Sequence, residues 1–144
     1  MIIRVLVATL VGGIVNFFLG WLLFGILLAG YFKAHMIHYP GLEKDPPEMI
    51  PLVLFNFVYA WLFAFIFDYW ARIRTFAAGL KGGALIMLPL VLAANLQYKA
   101  FMNLHTGYAP ILVDMLVAAV MGAIMGGVIG FVLGKMDKSS PALD

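Results

Sequence analysis

MLVAAVMGAIMGGVIGFVLG, running from Met115 to Gly134, carries no charged side chain and sets a glycine at every fourth position from Gly122 onward. About 20 apolar residues in a helix cross a hydrocarbon core of roughly 30 Å. This stretch is therefore long enough to span a bilayer, and its length and patterning decide the fold class. Ala118, Gly122, Gly126, Gly130 and Gly134 form one small-residue ridge along it. Such a ridge lets another helix backbone approach closely, which is how helices associate in lipid, where there is no hydrophobic drive to bring them together.

Three further stretches lack charge over comparable lengths: Val5 to Phe32, Met49 to Phe67 and Gly82 to Tyr98. The whole chain is 65% hydrophobic and 11% charged, with a mean hydropathy of +1.04. A soluble domain carries about a quarter charged residues, so lipid is the expected solvent for most of this one. The reading is an all-α, integral membrane four-helix bundle forming a single domain over residues 1–135. Its helices are expected at about 2–32, 49–71, 77–99 and 110–135, followed by a disordered tail at 136–144. The first apolar run is too long for the h-region of a cleaved signal and reads as a retained helix. Pro51 and Pro110 fall at helix starts, where a missing N–H costs nothing, and Pro89 lies inside the third span.

Charge orients the bundle. One set of loops and termini holds Arg4, Arg72, Arg74, Lys81, Lys135 and Lys138. The other holds Lys33, Lys44 and Lys99, diluted by Glu43, Asp45 and Glu48. Excess lysine and arginine marks the cytoplasmic side, so both termini are expected inside. Tyr31, Tyr39, Tyr98 and Tyr108 then fall at the outer interface, and Tyr69 and Trp70 at the inner one, where amphipathic rings prefer to sit.

Several functions lose their chemistry at this stage. Without cysteine there is no disulfide, thiolate metal site or cysteine nucleophile. The only serines, Ser139 and Ser140, lie in the polar tail, far from any rigid base. The net charge of +2 is dispersed and forms no nucleic-acid patch. The expectation is a protein that is not an enzyme and names no cofactor.

What remains is packing and a few polar side chains at membrane depth. The first span has its own ridge at Ala8, Gly12, Asn16 and Gly20, so the first and fourth spans are expected to pack together through Gly12, Asn16, Gly20, Gly122, Gly126 and Gly130. The ridges serve either intrachain packing or association with a second copy or another membrane subunit. Asn16, sharing the ridge, is expected to hydrogen-bond across helices. Polar groups in lipid are costly and need partners. Asn56, Asn95, Gln97 and Asp114 all fall in the outer half, with His105 just beyond, which suggests an outward-facing polar pocket with Asp114 at its base. Asp114 could equally cap its helix beside Lys99. His35 and His38, at i and i+3, are weak metal-ligand candidates with His105 and Asp114. All three histidines lie outside the spans, which argues against axial haem ligation. The aromatic run from Phe55 to Phe67 alternates along its helix, so some rings must meet lipid and others the core.

The stretches Asn16-Phe17-Phe18-Leu19-Gly20-Trp21-Leu22-Leu23-Phe24-Gly25, Ala78-Gly79-Leu80-Lys81-Gly82-Gly83, and Asp114 followed by Gly122-Ala123-Ile124-Met125-Gly126 together resemble a family of small four-helix bacterial membrane proteins of unknown function. The resemblance implies a fold and a multi-pass place in the bacterial inner membrane, and transfers no catalytic residue. The leading functional expectation is a non-enzymatic protein acting by helix packing, as an accessory subunit of a larger membrane complex or a homo-oligomer. The alternative is a binding or transport module taking a small ligand or lipid into the outward-facing pocket. The bilayer is a partner in either case.

Overall fold

The computed structural model describes residues 2–138, and among them the chain is all-helical. Helix α1 (Ile2–Gly20) runs straight into wider π turns at Trp21–Leu27, breaks at Leu28 and resumes as the short α2 (Ala29–His35). Helix α3 (Met49–Phe65) likewise passes into π turns at Ile66–Trp70. Helices α4 (Phe76–Phe101) and α5 (Ala109–Lys138) complete the chain. Four stretches are long and apolar enough to cross a membrane: Ile2–Leu27, Met49–Trp70, Phe76–Phe101 and Ala109–Asp137. The protein is an integral membrane four-helix bundle.

Local chemistry accounts for the helix ends. Thr75 caps α4 by accepting the Ala78 N–H on its hydroxyl oxygen at 3.2 Å, which satisfies one of the donors that a helix start leaves orphaned. Pro51 and Pro110 sit in the first turns of α3 and α5. Helix α4 continues through Pro89, which is exposed on the surface turned away from α5.

The start of α1, the end of α5 and the α3–α4 connection share one end of the bundle, because Arg4 of α1 and Arg74 both pair with Asp137 of α5. At the other end the two connections are stitched together: Ile37 N–H donates to the Leu104 carbonyl at 2.8 Å, and Thr106 N–H to the His35 carbonyl at 3.1 Å.

Helix α5 is the hub, and half of its apolar stretch is buried against 17% for that of α4. Its glycine ridge meets a matching ridge on α4. A Cβ added to Gly126 would lie 2.5 Å from the Gly79 carbonyl oxygen, and one on Gly130 would lie 2.7 Å from that of Thr75. The backbones touch where a side chain would otherwise hold them apart. The expected pairing of the first- and fourth-span ridges is thus corrected. The Gly122, Gly126 and Gly130 face belongs to α4, while α1 lies against α3 and a different side of α5. Gly12 abuts Ile129 and Ala60, and Gly20 faces the Met121 side chain. The physical reason is that Gly79 and Gly83 give α4 a backbone surface as flat as that of α5, a closer fit than the α1 ridge with Asn16 in its middle.

The core cluster gathers towards the end that holds the start of α1 and the end of α5. It includes Val5 and Ala8 from α1, Ala60, Phe63 and Ala64 from α3, and Met125, Ile129 and Leu133 from α5. By contrast, no residue of Trp21–Leu27 or of α2 is buried. The bundle is packed at one end and opens at the other. Two boundary expectations also change. The first helix breaks at Leu28 rather than running to 32. Residues 136–138, read as the start of a disordered tail, continue α5, where Asp137 is held by two arginines; residues 139–144 lie outside the described residues.

Candidate functional site

Where the bundle opens, the α1–α3 pair and the α4–α5 pair diverge around a cavity of about 940 Å³. Its walls are mostly aromatic and aliphatic: Phe17, Trp21 and Phe24 from the first span, Phe55 and Tyr59 from α3, Val91 and Tyr98 from α4, Met121 from α5. Four polar side chains reach it, Asn16, Asn56, Asn95 and Asp114. A mostly apolar cavity with a few convergent polar groups is the usual form of a small-molecule site. The π turns at Trp21–Leu27 form part of the wall, and widened turns of this kind recur at functional sites.

The polar groups form two pairs. Asn16 Nδ2 donates to Asn56 Oδ1 at 2.8 Å, and Asn56 Nδ2 donates to the Leu52 carbonyl at 2.7 Å. Asn16 thus makes the cross-helix bond that its ridge position suggests, joining α1 to α3. Across the cavity, Asn95 Nδ2 donates to the Val91 carbonyl at 3.0 Å and to Asp114 Oδ2 at 2.5 Å, joining α4 to α5. In both pairs a backbone carbonyl of the same helix fixes which end of the amide is the donor. Asn16 Oδ1 is buried and has no hydrogen-bond partner.

A smaller cavity of about 690 Å³ adjoins the first and shares Phe24, Asn95, Tyr98 and Asp114 with it. It lies under the stitched connections and is lined by charge: Lys33, Glu43, Lys44 and Asp45, with His38 and His105. The two together form one tapering space, apolar in the bundle and polar at the loops.

Of the residues expected in a pocket, Asn56, Asn95, Asp114 and His105 come together here, whereas Gln97 is exposed on the opposite face of α4 and lines neither cavity. Gln97 is two positions from Asn95, about 200° of helix turn, so the two cannot share a face. Asp114 does not pair with Lys99, whose ammonium instead lies 3.4 Å from the His105 carbonyl and 5.6 Å from the Tyr108 ring centre. The histidines do not converge. His35 Nδ1 is 2.8 Å from the Tyr31 carbonyl and its ring stacks on Tyr31. His38 contacts Glu43 at 3.0 Å and the Lys33 carbonyl at 2.8 Å, and these two partners, the carbonyl foremost, raise its pKa above 6.5. Among the described residues no three His, Cys, Asp or Glu side chains are placed to hold a metal ion.

Reasoning from sequence missed Asn16, Trp21, Phe24 and Tyr59 as cavity wall. Asn16 was legible as the polar break in a small-residue ridge, but its meeting with Asn56 required the α1–α3 register. At the opposite end, Asp68 has a fully buried side chain held by Arg74 at 2.7 Å and Arg4 at 3.4 Å. Arg74 in turn donates to the Phe67 and Ile73 carbonyls. Arg72 is exposed and takes a left-handed backbone conformation with φ of 49°.

No protein-family model, curated protein or solved structure matches this chain.

Proposed function

We propose that the protein binds an amphipathic small molecule or lipid in the space between the α1–α3 and α4–α5 pairs, from the outer side of a bacterial inner membrane, and that it does so without catalysing a reaction. The single observation that carries this is the tapering cavity, apolar in the span and charged at the loops. That polarity gradient matches a ligand with an apolar body and a polar head. The placement of lysine and arginine around Arg4, Arg72, Arg74 and Lys81 supports the orientation.

Ala94 is exposed and lines the cavity, so Ala94→Trp fills the space without touching the packed end. In thermal melts of detergent-purified protein, an extract of membrane lipids is expected to raise the midpoint of the wild type and to leave Ala94→Trp unmoved. Equal shifts in both, or none in either, would count against the reading.

A second reading, an accessory subunit, retains one observation. Helix α4 packs essentially on α5 alone, and Leu85 and Phe101 on its far side are more than three-quarters exposed. The glycine ridges no longer support that reading, since both are filled from within the chain.

A further inference from the structure

One carboxylate, Asp114, reaches a cavity whose other walls are uncharged, and it selects a ligand charge. On the α1–α3 side, Asn56 uses its Oδ1 for Asn16 and its Nδ2 for the Leu52 carbonyl. Asn16 has spent an N–H on Asn56, and its own Oδ1 is left buried without a donor, in a side chain that is 2% exposed. The α4–α5 side repeats the pattern. Asn95 spends its amide N–H groups on the Val91 carbonyl and on Asp114 Oδ2. No protein donor reaches the second oxygen of Asp114 among the described residues. Asn56 and Asn95 have thus spent their amide N–H groups within the protein, and the remaining polar atoms of the wall are the Trp21 indole N–H, the Tyr59 and Tyr98 hydroxyls and the Asp114 carboxylate.

Charge points the same way. Of the five charged side chains lining the smaller cavity, Lys33 and Lys44 oppose Glu43, Asp45 and Asp114, two positive against three negative. Lys44 is already paired with Glu48 and Glu43 with His38, which leaves Lys33 against Asp45 and Asp114. Asp114, which lines both cavities, is the one charged group that reaches the apolar part. The walls around it add the faces of Trp21, Phe24, Phe55, Tyr59 and Tyr98. Aromatic faces attract cations, indole most strongly, and more so when the cation is desolvated.

We infer that the cavity is a site for a lipophilic organic cation, an ammonium carried on an apolar body. The ammonium would sit against Asp114, and the apolar part against the aromatic walls. This rests on the reading of the cavity as a ligand site and adds the sign of the ligand's charge. An anion would meet a carboxylate, and a neutral alcohol would offer Asp114 a hydrogen bond without the opposite charge.

Three probes with one apolar body separate these terms: 4-phenylbutylammonium, 4-phenylbutanol and 4-phenylbutyrate, titrated calorimetrically into the full chain in nanodiscs of zwitterionic lipid, with empty nanodiscs as blank. The ammonium is expected to bind at least tenfold more tightly than the alcohol, and the carboxylate more weakly than either. In Asp114→Asn the preference for ammonium over alcohol is expected to collapse to within about threefold while the alcohol affinity holds, which also shows that the variant is folded. Equal affinity for all three in the wild type, or a preference for the carboxylate, overturns the cation assignment and leaves the cavity as a site for apolar bodies. Binding of none of them overturns the cavity reading itself, and this inference with it.

Discussion

At the scale of single residues, the glycines divide by what surrounds them. Gly79 and Gly83 lie so close to the α5 backbone that an added Cβ would overlap the carbonyls of Gly126 and Gly122, whereas Gly30 and Gly107 have nothing within 4 Å. Overpacking a well-fitted interface costs about 1–3 kcal/mol, sometimes more, and here the obstructing atoms are backbone, which cannot rotate away. Gly83→Ala is therefore expected to lower the thermal midpoint in detergent by several degrees, and Gly107→Ala to leave it unchanged. His38 makes a second prediction at this scale. Its folded pKa is raised above 6.5 by the Lys33 carbonyl and Glu43. A raised folded pKa means that its contribution to stability is complete below pH 6.5 and fades as pH climbs through the raised value. Wild type and His38→Ala should accordingly differ in melting midpoint at pH 5.5 and converge at pH 8.5. A difference independent of pH would show that the His38 contacts do not depend on its charge.

Residue-scale reasoning from sequence went as far as naming which polar groups a bilayer would find costly; of the five expected pocket residues, Asn56, Asn95 and Asp114 line the larger cavity and His105 the smaller. It failed for Gln97 because a list of polar residues in one membrane half ignores helix phase, and Asn95 and Gln97 face apart. It also left Asp137 in a tail, since a lone aspartate near a C-terminus has no local signal. Its two arginine partners come from Arg4 and Arg74, 133 and 63 positions away in the chain.

At the scale of elements, two devices fix the helices at opposite ends. Near the start of α1, Asp68, Asp137, Arg4 and Arg74 tie α1, the end of α3, the α3–α4 connection and α5 into one network. Removing one partner of a buried pair leaves an uncompensated charge and costs about 3–5 kcal/mol. Arg74→Ala leaves the buried Asp68 carboxylate with Arg4 alone and is expected to cost about 1–3 kcal/mol, whereas Arg72→Gln, at an exposed side chain, should stay within about 0.5 kcal/mol. Reversible unfolding in mixed micelles checks both, and equal costs would contradict the network's role. At the other end nothing comparable clamps the helices; backbone bonds between the two connections hold the loops while the spans beneath diverge. The element boundaries were legible from apolar run length and the prolines. The π turns and the break at Leu28 were not, because Trp21–Leu27 is as apolar as the helix it continues and only the packing around it reveals the widened turn.

At the scale of the whole molecule, the fold follows from how small residues are distributed. Glycine faces on α4 and α5 bring two backbones into contact at Gly79–Gly126 and Gly83–Gly122, and α1 and α3 pair through Gly12, Gly13, Asn16 and Asn56. Two tight pairs joined firmly at the ionic end leave a wedge between them at the other. That wedge, with its aromatic walls and one carboxylate, is a property of the assembled bundle, and no local pattern announces it. The four-helix membrane architecture was legible because hydropathy and charge are local sums. Which ridge meets which was not, since three glycine-bearing spans admit several pairings of similar quality.

The central claim, that the wedge is a ligand site within one chain, is tested most directly by native mass spectrometry of the protein released gently from its own membranes. The expected result is a single chain carrying one amphiphile, whose extra mass disappears in Ala94→Trp. A bare chain in both, or a stable assembly with other proteins in which the wedge variant retains the same bound mass, would contradict it.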